Sequence, residues 1–103
     1  MILLGQDVLL RGSDRNKPLR VWLVQWAAAV QQLEWQDLED VHKAYPSADG
    51  IGLESGTIVT VFNVKGNSYR LITWIDYDAQ VIEALELLTH AEYDKNEWKK
   101  DSD

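Results

Sequence analysis

The 103-residue sequence has no cysteine, which rules out a disulfide framework, zinc-finger spacing and a thiol nucleophile. Histidine occurs only at His42 and His90, too far apart in sequence for a histidine-rich metal site, so no metal is expected. No run approaches the roughly 20 apolar residues of a membrane span. The apolar opening stretch, residues 1–10, is broken by Asp7, has no basic residue before it and offers no small-residue cleavage site. It reads as the first strand of a domain instead of a signal peptide. P-loop, GxGxxG, nucleophile-elbow and HExxH patterns are missing, which removes the usual signals for nucleotide binding, serine hydrolysis and metalloproteolysis. Positive charge is scarce too. Ten Lys and Arg stand against 17 Asp and Glu, a formal net charge of −7. The first 20 residues balance to +2, whereas residues 31–103 balance to −9. Bulk electrostatics of that sign oppose attraction to a phosphate backbone.

What is present is ordinary globular material: 46% hydrophobic residues and five tryptophans. The length fits one domain, read as residues 1–98, followed by a tail at 99–103 expected to be mobile. The lack of thiols is compatible with a reducing cytoplasm, where the chain is expected, and no membrane contact is expected. Residues 11–16 cluster Gly, Ser, Asp and Asn and read as a turn. Pro18 suits a first helical turn, and Leu19, Trp22, Leu23, Trp26, Val30 and Leu33 follow at helical spacing. A second helix is read from about Gln36 to Tyr45, ended by Pro46, with a loop from Ser47 to Gly52. His42 reads as an ordinary helix-edge residue. From Thr57 the period changes to that of strands, 57–64, 69–77 and 81–88, with Gly66-Asn67 as a two-residue hairpin loop. Thr89 and Glu92 then match a capping box, opening a short helix that frays through Lys95 to Lys100. The expected fold is α+β: an N-terminal strand and helices packed on an antiparallel β-meander, closed by a short C-terminal helix. Trp22, Trp26 and Trp35 read as core, and Trp98 as a candidate contact residue.

Two constellations bear chemical groups. Residues 62–70 form a hairpin tip with amide, cationic and phenolic side chains. Residues 89–95 open a helix, whose first N–H groups can hold a phosphate. Each has a plain structural reading: a turn, a helix cap and an aromatic lid on the core.

These two segments, Phe62-Asn63-Val64-Lys65-Gly66-Asn67-Ser68-Tyr69-Arg70-Leu71-Ile72 and Thr89-His90-Ala91-Glu92-Tyr93-Asp94-Lys95, resemble the HigB family of bacterial toxins. Trp35 and Tyr45-Pro46-Ser47-Ala48-Asp49 fit the same pattern, and the similarity spans roughly residues 17–98. The resemblance implies a RelE-like fold and an mRNA interferase, an endoribonuclease cleaving messages, often on the ribosome. It implies a helix-turn-helix antitoxin as partner, DNA contact only through that antitoxin, and no cofactor. Such enzymes need no metal: the ribose 2′-OH loses its proton, attacks the adjacent phosphate and displaces the 5′-oxygen. On that basis Arg70 is the candidate phosphate stabiliser, His90 the base or acid, and Tyr93 a stacking or proton-donating group. Asn63, Lys65, Asn67 and Lys95 are the candidate RNA-binding residues. The acidic balance departs from the family pattern and favours an alternative, a catalytically decayed toxin-fold protein that only binds an antitoxin or another protein partner.

Overall fold

The computed structural model describes residues 1–66 and 68–101. Strand β1 (Ile2–Leu4) leads through Gly5 into helix α1 (Gln6–Ser13), and α2 (Lys17–Gln32) and α3 (Leu38–Ala44) follow. Strands β2 (Asp49–Gly52), β3 (Ile58–Val64), β4 (Tyr69–Asp76) and β5 (Val81–Thr89) come next, then α4 (His90–Asp94) and α5 (Trp98–Asp101). The strands form one sheet in the order β1-β5-β4-β3-β2, antiparallel except for the parallel β1–β5 pair. No helix among the described residues is long and apolar enough to cross a membrane.

The helix opened by Pro18 is capped by Asn16, whose side-chain oxygen accepts the Leu19 N–H at 2.8 Å. It buries Leu19, Leu23, Trp26 and Val30, one stripe at helical spacing, against the sheet. Trp26 meets Phe62 edge-on at 5.4 Å, Trp35 stacks on Phe62 at 6.3 Å and Tyr45 meets it edge-on at 5.3 Å. Each such pair adds about 1 kcal/mol beyond simple burial. Trp26 and Trp35 are core as expected, and Trp22 packs half-buried against them.

Both sheet faces are apolar, and different elements cover them. Helices α1 to α3 lie over Phe62, Val64, Leu71, Ile75, Ile82 and Leu87. On the other face Trp98 packs with Leu53, Val59, Val61 and Ile72. Trp98 is only 3% exposed, so it is a core residue and not the contact residue expected.

Three local readings change. The turn expected at residues 11–16 starts only after Ser13: residues 11–13 finish α1, and at Gly12 a Cβ would lie 2.4 Å from Leu87 Cδ2, so glycine lets the helix pass close to β5. The strand expected across residues 1–10 stops at Leu4, because Gly5 takes φ +76° and turns the chain where a Cβ would strike the Ala84 carbonyl oxygen. Part of the loop expected at 47–52 is β2, paired with β3 from Asp49↔Val61 to Gly52↔Ile58. The meander is thus the centre of a five-stranded sheet.

Candidate active site

The β3–β4 ladder ends at Val64↔Tyr69, so the connection spans residues 65–68 and is longer than the two-residue Gly66-Asn67 loop expected; Lys65 (φ 51°) and Gly66 (φ 66°) both take positive φ in it. Asn67, one of the residues expected to bind RNA, lies outside the described residues. Beside the tip, Tyr69 pairs with Thr89 and Arg70 with Leu88 in the β4–β5 register, and Asn63 pairs with Arg70 in the β3–β4 register. The His90 N–H donates to the Ser68 carbonyl at 3.1 Å. Two segments some twenty residues apart thus form one end of the sheet.

His90 is exposed, with Nδ1 2.9 Å from Asp94 Oδ2 one helical turn on. That contact orients the ring and leaves Nε2 as the nitrogen available to a substrate. Thr89 and Glu92 make the expected capping box: the Glu92 carboxylate accepts the Thr89 N–H at 2.9 Å and the Thr89 hydroxyl accepts the Glu92 N–H at 3.2 Å. The backbone bond from Thr89 holds the Glu92 carboxyl below its ordinary range, so it is a carboxylate and not a proton donor. The expectation that this helix start holds a phosphate is not met. α4 is five residues long, and its His90 and Glu92 N–H groups are already committed to Ser68 and Thr89.

Arg70 is 9% exposed, far more covered than a surface phosphate grip would be. Its Nη1 donates to the Tyr69 carbonyl at 3.0 Å and its Cζ lies 5.6 Å from the centre of the Tyr93 ring. Tyr93 in turn stacks on Trp98 at 5.2 Å, and the Trp98 indole N–H donates to the Tyr93 carbonyl at 3.1 Å. Burial, more than any other cause, pushes the Tyr93 phenol up. Asp49 and Asp94 add to the rise and Arg70 opposes it. A phenol shifted that way keeps its proton at neutral pH and gives it up less readily than a free one.

Lys65 is exposed at the tip and Asn63 is half-buried on the sheet face that carries Arg70. Lys95 ends α4 and lines a cavity of about 250 Å³ with Glu86, Leu88, Glu92, Glu97 and Trp98, so carboxylates surround it. His42 does not join the site; its Nε2 lies 2.6 Å from the Ala48 carbonyl, tying α3 to the following loop.

One cation was not foreseen. Arg15, in the turn after α1, has its Cζ 5.9 Å from the Tyr69 ring centre, and Asn16 Nδ2 donates to the Tyr69 hydroxyl at 3.2 Å. With Arg11 it lines a cavity of about 200 Å³ along β5 that reaches Leu88. No local pattern pairs residues 15 and 69; only the hairpin's return across β4 does. The resulting field is mixed, with Arg15, Lys65, Arg70 and Lys95 interleaved among Glu86, Glu92 and Asp94.

Helices on one face of a mostly antiparallel sheet, with a short C-terminal helix returning to the hairpin tip, define a RelE-like toxin fold. The family model described as HigB toxin, the RelE-like toxic component of a toxin-antitoxin system, matches residues 20–96. The chain belongs to this family, and an antitoxin partner follows from membership. Among the curated proteins no relative matches.

Proposed function

We propose that the chain is a metal-independent endoribonuclease that cleaves mRNA, held inactive by a helix-turn-helix antitoxin. The observation that carries the reading is the hydrogen bond from His90 to Ser68, which places an exposed imidazole beside the hairpin tip. His90 Nε2 takes the proton of the ribose 2′-OH. The resulting oxyanion attacks phosphorus, the bond to the 5′-oxygen breaks, and the Tyr93 hydroxyl gives that leaving oxygen its proton. Arg70 and Arg15 stabilise the charge on the phosphorane, and Lys65 with Asn63 and Asn67 holds the strand. Lys95, set among glutamates, contributes least. The chain acts in the cytoplasm, on messages free or engaged by the ribosome, and reaches DNA only through the antitoxin.

The burial of Arg70 beneath Tyr93 favours a second reading, an antitoxin-binding remnant without activity. Purified protein incubated with defined messages, with and without ribosomes, separates the two. Cleavage lost in His90→Ala supports the enzyme. Intact RNA under both conditions, with folding verified by circular dichroism, supports the remnant.

A further inference from the structure

The sheet face that holds Arg70 is covered by the chain's own C-terminal segment only in part. Trp98 and Tyr93 close the half near Val59, Val61 and Ile72. Toward β1 the same face is open. Ile82 and Ala84 point to the helix side, so their strand neighbours Val81 and Glu83 point to the open side. Pairing then sets out two rows across β1, β5 and β4: Leu4, Glu83 and Trp74, and Ile2, Val81 and Asp76. Ile2 is 61% exposed, Leu4 47% and Trp74 36%. Trp74 is thus the tryptophan offered to a partner, the role the sequence pointed to at Trp98.

Charge says what kind of partner fits. Among the described residues neither Glu83 nor Asp76 has an ion-pair partner, although Asp76 Oδ1 accepts the Ala79 N–H at 3.0 Å. Apolar side chains of three neighbouring strands, roughly 10 Å across at two strand spacings, therefore share this face with two carboxylates, Glu83 between Leu4 and Trp74 and Asp76 next to Trp74 on β4.

We infer that this open face, centred on Trp74 between Glu83 and Asp76, is the docking surface for a basic amphipathic segment of the antitoxin. The segment's apolar stripe lies over Ile2, Leu4 and Trp74, and its Lys or Arg side chains meet Glu83 and Asp76. One of them stacks on the Trp74 ring, where a cation is held by both the ring and the carboxylates. The inference rests on membership of a toxin-antitoxin family and not on ribonuclease activity. It also gives a function to the acidic balance of residues 31–103, which RNA binding does not use.

The test is titration of the full chain with its cognate antitoxin, at low and high salt. Trp74→Ala should weaken binding about 30-fold, as for a central interface tryptophan. Glu83→Lys should weaken it about tenfold and remove much of the salt dependence. Both positions lie at the surface, and circular dichroism verifies folding. Val24→Lys, in the exposed groove between α1 and α2, serves as the rival surface and should bind like wild type. Unchanged affinity in both Trp74→Ala and Glu83→Lys, or loss confined to Val24→Lys, overturns the inference. RNA cleavage is read separately, so a chain that binds through Trp74 yet cuts nothing upholds this surface and removes only the ribonuclease reading.

Discussion

Ser68 and His90 are joined by a backbone hydrogen bond of 3.1 Å, and that bond makes one site of two distant segments. It sets His90 beside the hairpin tip, with the ring exposed and its Nδ1 held by Asp94. The site's chemistry and its fragility both follow from it.

His90→Ala should lower message cleavage by about 10²- to 10⁴-fold, the usual contribution of a positioned base. Because the residue is exposed and on the last element before the C-terminal turn, the melting temperature should scarcely move. Cleavage kinetics and thermal denaturation on the same preparation check both halves.

Tyr93→Phe should slow cleavage by about 10²-fold without moving the pH–rate profile at or below pH 8. The phenol's ordinary value is 10.0 and burial raises it, so Tyr93 stays protonated throughout that window. A profile that shifts in the variant would assign Tyr93 a different role.

The capping box makes the C-terminal turn acid-sensitive. The folded Glu92 carboxyl lies below its ordinary value of 4.5, so its contribution is fully present above pH 4.5 and is lost as pH falls through the lower folded value. Thr89→Ala should cost about 1 kcal/mol at neutral pH, with the difference from wild type shrinking in acid. Urea titrations at neutral and acidic pH measure it.

Trp98→Ala should destabilise the fold by about 3–5 kcal/mol, since it empties the centre of the second core cluster. A contact residue on a frayed end would cost almost nothing, so equilibrium unfolding distinguishes the two roles sharply.

The strip of Leu19, Leu23, Trp26 and Val30, the β-branched run before Phe62 and the Thr89–Glu92 box were legible because each is a local pattern read by period or cap chemistry. The departures all depend on distant partners. Gly12 reads as a turn until Leu87 is seen to need the space, and Asp49-Gly50-Ile51-Gly52 reads as a loop until β3 supplies its ladder. Trp98 reads as exposed because a polar tail surrounds it, while its burial comes from Val59, Val61 and Ile72. The site residues on the two motifs were found through family resemblance; Arg15 escaped because it precedes the stretch of roughly residues 17–98 that carries the resemblance, and only the fold brings it to Tyr69. The burial of Arg70 escaped for the same reason as that of Trp98: it takes Tyr93, 23 positions on, to cover it.

The central claim is that the Ser68–His90 end of the sheet cuts RNA. The direct measurement is a map of RNA 5′ ends in bacteria expressing the chain without an antitoxin, beside His90→Ala at equal soluble yield. Displacement of the 5′-oxygen predicts new 5′-hydroxyl ends within messages, growth arrest, and the loss of both in the variant. Normal growth with no new ends from folded, soluble wild-type protein would contradict the claim, and so would ends that persist in His90→Ala.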